Sequence, residues 1–401
     1  MRFPEFSGEW DRIKVSDLLE YYPTNSLSWE QLDYSGEGIF NLHYGLIHKG
    51  LPTQVDVSEN ELPTIKNEYI PKKLSLCQNG DVAFADASED TNDVAKCIEF
   101  ANCDERKIVC GLHTIHGRDA KNKTVTGFKG YAFSARAFRE QIHRLAQGTK
   151  IYSISSGNFS ECYIGIPCKE EQCKIANLLL AVDQRIATQI KIIEKLESLI
   201  KGLTDDVFCC NGNIPMVKFS NLYKDAGEGG TPSTSTPEYY EGGTIPFVKI
   251  DDLTAKYLVA HKDCITEQGM QKSSAWLIPP GSVIYSNGAT IGSISINTYP
   301  ICTKQGILGI IPKDNVNVEY LYYLMTSVYF RKEIHRIITE GTMKTAYLKD
   351  INNILCPIPD IDSQKLIANK LASITEKIEL EQQVLSLLQA QKYYLLSKLF
   401  I

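Results

Sequence analysis

The chain has 401 residues, 43% of them hydrophobic and 22% charged, with a formal net charge of −6. This length exceeds one small domain and suits two or three, with enough apolar residues to bury real cores. The acidic balance does not advertise nucleic acid. No apolar run reaches the ~18–20 residues of a membrane span, and "MRFPEFSGEW" lacks the layout of a signal peptide, so a cytoplasmic protein is expected.

Residues 1–165 read as a first mixed globule. Short β-branched runs such as "GDVAFADA" (Gly80–Ala87) alternate with Gly-, Ser- and Asn-rich turns. "CGLHTIH" gathers Cys110, His113 and His116 on a strand-like stretch. Residues three apart on a strand face opposite sides, so the two histidines diverge and packing or polar contact is favoured over zinc. The twelve cysteines are scattered without a C-x-x-C pair, and free thiols are expected of a cytosolic chain. "ARAFREQIHRLAQGT" reads as a short amphipathic helix closing the globule.

Residues 166–208 read as one long helix opened by "IPCKEEQCKIANLL". Ile175, Leu179, Val182, Ile186, Gln189, Ile193, Leu196, Ile200, Leu203 and Val207 recur in alternating steps of four and three. That spacing is a coiled-coil seam with a single polar break at Gln189. Some 35 helical residues would span about 50 Å.

Residues 209–357 read as a second globule of the same kind, with "GSVIYSNGATIGSISI" (Gly281–Ile296) as strand and turn. Its closing helix, "SVYFRKEIHRIITEGT", repeats the first. Phe138, Arg139, Ile142, His143 and Arg144 recur 192 positions on as Phe330, Arg331, Ile334, His335 and Arg336. The openings echo too: "DRIKVSDL" from Asp11 resembles "PMVKFSNL" from Pro215.

Residues 358–401 repeat the long helix at the same offset. "IPDIDSQKLIANKL" matches the earlier opening at Pro167/Pro359, Gln172/Gln364, Ile175/Ile367, Ala176/Ala368, Asn177/Asn369 and Leu179/Leu371. The second seam is Ile367, Leu371, Ile374, Ile378, Glu381, Leu385, Leu388, Lys392, Leu395 and Leu399. Its breaks are Glu381, the equivalent of Gln189, and Lys392. Antiparallel pairing of the helices would bring Gln189 to Glu381 and fix the register; the alternative is that each helix packs on its own globule. The expected fold is therefore α+β: two mixed α/β domains alternating with two long helices that pair as an antiparallel coiled coil, with pseudo-two-fold symmetry.

Catalytic signatures are missing. The chain has no G-x-x-x-x-G-K-[ST] loop, no G-x-S-x-G elbow and no N-P-P-[FY] motif of an adenine methyltransferase. "GEGGTPS" (Gly227–Ser233) has the glycines of a phosphate loop but not the lysine. His143 and His335 with Arg144 and Arg336 read as the polar face of a helix. A binding or scaffolding protein is favoured over an enzyme.

The order of these parts resembles the specificity (S) subunit of type I restriction-modification systems over essentially the whole chain. The local marks are the two "IP" helix openings, similar to the family's I-P-x-x-x-E-Q-x-K-I stretch, with Ser363 a departure before Gln364. "NLHYGLIHKG", "VAFADASED", "GLHTI" and "RLAQGTKIYSIS" look like one type of recognition domain. "GGTPSTSTPEYYEGGTIPFVKIDDL", "SNGATIG" and "EGTMKTAYLKDI" look like another. The resemblance implies a non-catalytic subunit that reads a bipartite, asymmetric DNA target, one half per domain, while the helices set the unread spacer. It implies two methyltransferase (M) subunits as partners, which carry S-adenosylmethionine and methylate adenine N6. Restriction (R) subunits using ATP and Mg join them in the full complex. No cofactor is expected in this chain.

Base readout needs side chains that bond base edges, and phosphate clamping needs cations, hydroxyls and bare N–H groups. In the first domain these point to His43, Tyr44, His48, Lys49, Asp86, Ser88, Glu89, His113, Thr114, Lys150, Tyr152 and Ser153. Asp86 and Glu89 would serve equally as turn formers. In the second they point to Gly230, Thr231, Ser233, Lys249, Ser286, Asn287, Thr290, Lys304, Gln305, Thr342, Lys344, Tyr347 and Lys349. "GGTPS" is also a plain surface turn, and "SNGATIG" also suits an Asn-Gly hairpin. Two rivals remain: a scaffold of two protein-binding globules on a coiled-coil spacer, and a solitary regulator of a bipartite site.

Overall fold

Two helices of 41 and 38 residues, Lys169–Cys209 and Ile361–Lys398, run through the computed structural model. It describes residues 2–34, 37–58, 61–103, 106–148, 150–209, 214–288, 290–338 and 344–400. The chain divides into two units, Met1–Lys191 with Gln383–Ile401, and Ile192–Gln382. Both long helices are therefore shared, and each is cut near its middle. Each unit holds one globule, the first half of one helix and the last half of the other.

The two globules have the same strand plan. The first has a five-stranded sheet in the order Glu20–Tyr22, Thr114–Arg118, Val82–Ala85, Cys97–Ala101, Gln54–Asp56. The second repeats it as Tyr223–Glu228, Ile307–Pro312, Val283–Ser286, Ile294–Asn297, Tyr257–Leu258. In both sheets only the last pair is parallel. A smaller sheet lies beside each. In the first, Ile39–Leu42 pairs parallel with Lys107–Cys110 and antiparallel with Thr64–Ile65. In the second, Ile245–Val248 does the same with Cys302–Thr303 and Asp263–Ile265. The echoing openings form strands that pair with the strand entering each long helix, Asp11–Lys14 with Tyr163–Ile166 and Met216–Lys218 with Leu355–Pro357.

Within the first unit, Ile175, Ala176, Leu179 and Val182 share a core with Leu395 and Leu399, and with Phe128, Tyr131, Phe133 and Phe138 of the globule. In the second, Phe208 shares a core with Ala368 and Leu371, and with Phe219, Tyr320 and Phe330, while Ile200, Val207 and Ile367 pack against it. In each unit the start of one long helix thus lies with the end of the other. This is antiparallel pairing, and packing on the globule occurs together with it, so the two readings of the seam do not exclude one another.

Every seam position is at least half-buried except Leu203, which is 37% exposed, while Phe208 is only 3% exposed. An α-helix drifts about 20° per heptad from a strict 3.5 repeat, so the buried stripe slips by one residue near the helix end. Lys392 has its reason in Asp183, 2.6 Å away, which also accepts a bond from Tyr131 Oη at 2.9 Å. Gln189 is buried, and Glu381 pairs with Lys377 one turn back in its own helix.

The "IP" openings recur for a mechanical reason. Gln172 Oε1 accepts from Val125 N at 2.9 Å, and its Nε2 donates to Lys123 O and Pro167 O at 3.1 and 2.8 Å. Gln364 does the same with Asn317 N at 2.8 Å and with Asn315 O and Pro359 O at 3.1 and 2.8 Å. Each glutamine is buried and staples the first turn of a long helix to a loop of its globule. Among the described residues no helix is long and apolar enough to cross a membrane.

Candidate nucleic-acid interface

In the first globule the residues singled out above lie close together, most of them at the surface. The short helix Tyr44–Lys49 starts at His43, whose Nδ1 accepts from Gly45 N at 3.1 Å. One turn on, His48 Nε2 lies 2.9 Å from Ala87 O. Tyr44 packs edge-on against His113 at 5.3 Å, and His113 Nδ1 lies 3.2 Å from Asp86 Oδ1. His113 sits at the tip of the turn before strand Thr114–Arg118, with a left-handed φ of 55° and an exposed ring. Ala87–Ser88 pairs with Tyr152–Ser153, which brings in the segment that carries Lys150. Lys49, Glu89, His113, Lys150 and Ser153 are exposed; Tyr44, His48, Asp86, Ser88 and Tyr152 are half-buried.

The second globule assembles an equivalent edge from different residues. Gln305 N donates to Thr231 Oγ1 at 3.3 Å, and Lys304 N to Val248 O at 3.0 Å, next to Lys249. Asn287 and Gly288 both donate to Gly306 O, and Asn287 O accepts from Ala346 N at 2.9 Å. The loops carrying Thr231, Lys249, Asn287, Lys304 and Lys344 therefore meet. Ser233, Thr290, Lys304, Gln305, Lys344, Tyr347 and Lys349 are exposed, and Lys349 lies over the Tyr347 ring. Thr342 lies outside the described residues.

Some of the residues chosen as contacts are positioning groups instead. His43 is 3% exposed and sandwiched between Trp29 and Tyr44, and burial pushes its pKa down. Thr114 is 6% exposed and donates to Gly111 O at 2.5 Å. Ser286 and Asn287 are fully buried, bonded to Thr290 O and Ala346 O. Gly230 has no free face either: a Cβ there would meet Ala275 N at 2.4 Å, so glycine serves close packing rather than phosphate approach. Lys249 pairs with Asp263 at 2.7 Å. The Asn-Gly pair is not a two-residue hairpin turn. Tyr285 pairs with Ile294 and Ser286 N bonds Ser293 O, leaving a six-residue loop, 287–292.

Each unit also has a cleft between its closing helix and a long helix. In the first unit it is about 660 Å³, lined by Arg136, Arg139, Glu140, His143, Tyr393 and Leu396 among others. In the second it is about 670 Å³, lined by Val328, Arg331, Lys332, His335, Lys201 and Thr204 among others. These six pairs match one for one at the 192-residue offset. Arg139 and His143 fall on Arg331 and His335, and Tyr393 falls on Lys201. Arg139 Nη2 donates to Asn92 O at 2.6 Å, while its Nη1 is buried without a partner.

The model of the type I restriction modification DNA specificity domain matches residues 104–198 and 214–390, well over half of the chain. The chain belongs to this family. Among curated relatives of the specificity family, the type I restriction enzyme MjaIX specificity subunit of Methanocaldococcus jannaschii is 35% identical over 177 residues. That alignment spans 42% of this chain and 40% of the relative. The putative MjaX specificity subunit of the same organism is 22% identical over 94% of this chain and 90% of its own length. Among solved structures, the type I restriction-modification system S subunit from M. genitalium superposes with a TM-score of 0.57 at 16% identity, covering 100% of this chain and 99% of that one. At this identity the likeness establishes the fold.

Trp29 lies beside these residues in the first globule and is not among those singled out from the sequence. It is 40% exposed, stacks on His43 with ring centroids 4.3 Å apart, and carries Lys49 over its face. The signal was present in "SWEQ", where Ser28 and Gln31 form a capping box that fixes the Trp29 turn. The exposed Lys49 held over this ring is placed to meet a phosphate.

Proposed function

We propose that this chain is the non-catalytic DNA-reading subunit of a type I restriction-modification complex. Each globule reads one half of a bipartite, asymmetric target, and the long helices set the spacer. The matched clefts receive two identical methyltransferase subunits, which bring S-adenosylmethionine and methylate adenine N6. Restriction subunits using ATP and Mg complete the endonuclease.

The observation that carries this reading is a contrast. The glutamine staples and the clefts repeat at one offset and the strand plan repeats in order and pairing, whereas the loops at the recognition edges do not. A symmetric protein demands a symmetric target. A doubled frame with diverged loops keeps two equal docking places and frees the half-sites to differ. The net charge of −6 fits a division of labour, because phosphate neutralisation supplies much of the non-specific affinity and the partners can provide it. The test is single-molecule sequencing of N6-methyladenine in the source genome with and without this gene. Loss of one bipartite, asymmetric motif is expected. An unchanged set of motifs would favour the scaffold reading, to which the acidic balance lends some weight.

A further inference from the structure

Beneath the His113 turn, three side chains from distant parts of the chain converge. Cys77, Cys110 and His116 are 6%, 1% and 1% exposed, and their ligand-capable atoms all lie within 4.8 Å of one another. The sulfurs of Cys77 and Cys110 are 3.6 Å apart. Two thiolates on one tetrahedral cation at about 2.3 Å each would sit about 3.8 Å apart, so the observed spacing needs almost no adjustment. His116 Nε2 lies 2.8 Å from Asp81 Oδ2, and Asp81 also accepts two bonds from Arg118 and one from Gln78 N. A carboxylate held in this way accepts from Nε2–H, and with the proton kept on Nε2 the Nδ1 is a bare acceptor. That Nδ1 is buried without a hydrogen-bond partner. A carboxylate bonded to one nitrogen of a histidine whose other nitrogen is left open is the outer-shell arrangement of metal-ligating histidines.

The second globule shows what the same space holds otherwise. Matched through the bridges Leu76–Val109 and Ile278–Ile301, Cys77 and Cys110 fall on Pro279 and Cys302. His116, opposite Ala83, falls on Gly309, opposite Ile284. There Ile278 and Trp276 close over Gly309. The polar trio of the first globule thus occupies a place that apolar packing fills in the second.

We propose that Cys77, Cys110 and His116 Nδ1 bind one thiophilic d10 cation, Zn(II) or Cu(I), as a structural site. The choice follows from soft thiolate donors with one imidazole. Binding exchanges thiol protons for the cation, each S–H bond giving way to an S–metal bond with release of H⁺. Cys110 ends a strand of the smaller sheet, and His116 lies within the five-stranded sheet. The cation would clamp the two sheets at the turn that presents His113 to the candidate interface.

The test uses the full chain, purified without chelator after tag removal and loaded with Zn(II) or, separately, Cu(I) under reducing conditions. About one equivalent per chain is expected by elemental mass spectrometry for at least one of the two metals. It should be lost in C77S/C110S and retained in C162S, which alters a buried thiol of the same unit. On the unmutated chain, Co(II) loading should give a near-ultraviolet thiolate charge-transfer band, and an organomercurial should release bound Zn(II) as the thiols are titrated. Either wild-type result keeps the question answerable should the double variant not fold. Metal well below one equivalent under both loadings overturns the proposal. So does a Cys77–Cys110 disulfide in the freshly isolated chain, which would make the pair a redox bridge.

Discussion

Gln172 and Gln364 show how one side chain can hold a doubled protein to its plan. Each makes three hydrogen bonds from a buried position, two of them to backbone carbonyls, one in a loop of the globule and one just before the helix. Truncation to alanine would strand a buried N–H and two carbonyls, a cost of about 2–4 kcal/mol. Q172A and Q364A should each lower the urea midpoint of the full chain by a similar amount; a shift within error for either would mean that water replaces the amide. A second residue-scale effect is pH-dependent. Burial pushes the Glu319 carboxyl up, but bonds from Tyr257 and Lys256 pull it below its usual value, and the Glu319 bond raises Lys256 against its own burial. A depressed carboxyl contributes stability that is present above its unfolded pKa, about 4.5, and is lost as pH falls through the folded value. A raised lysine contributes stability that is present below about 10.5 and is lost as pH climbs through its folded value. E319Q should therefore flatten the acid limb of the stability curve, and wild-type and variant curves that stay parallel below pH 4.5 would contradict this. At this scale the sequence was only partly legible. The glutamines stood out because they recur. Cys77 did not pair with Cys110 on paper, because 33 residues separate them and no short-range pattern links the two.

The long helices were the most legible elements, since a 3.5-residue period shows in the letters themselves. What the period could not reveal is that half of each seam also faces a globule. Leu179 is fully buried among residues of the globule and of the other helix. L179A should cost about 2–5 kcal/mol, more than truncation at a half-buried seam position such as Leu385. The strand order was not legible, because parallel pairs such as Ile39–Leu42 with Lys107–Cys110 join segments far apart in sequence. On the proposed function the helices are also a ruler. One heptad inserted at mid-length in each would add about 10 Å, or about three base pairs at 3.4 Å each. The methylated motif should keep both half-sites and gain spacer; a change in the half-sites would remove the helices from that role.

For the whole molecule, the proposed function requires an acidic chain to read DNA. The exposed cations at the recognition edges, Lys49 and Lys150 in the first globule and Lys304, Lys344 and Lys349 in the second, are few. Log affinity falls with log salt at a slope of about −0.9 per phosphate neutralised. Two or three lysines per half-site would therefore give the isolated chain a shallow slope and weak binding at physiological salt. Partners docked in the matched clefts would add phosphate contacts, so the complex should bind more tightly and with a steeper slope. Fluorescence anisotropy across a salt series, on the chain alone and with the methyltransferase subunit, separates the two cases. Equal slopes would mean that the chain itself makes the backbone contacts. The clefts can be tested in the same assay. R139A and R331A remove equivalent guanidinium groups from the two clefts, in helices that carry none of the loops chosen for DNA contact. If the clefts dock two identical partners, each variant should weaken capture of one methyltransferase subunit and leave the binding of the isolated chain to DNA unchanged. Native mass spectrometry would then show a shift from two partners per chain toward one. Loss of DNA binding by the isolated chain would instead assign these arginines to the recognition surface.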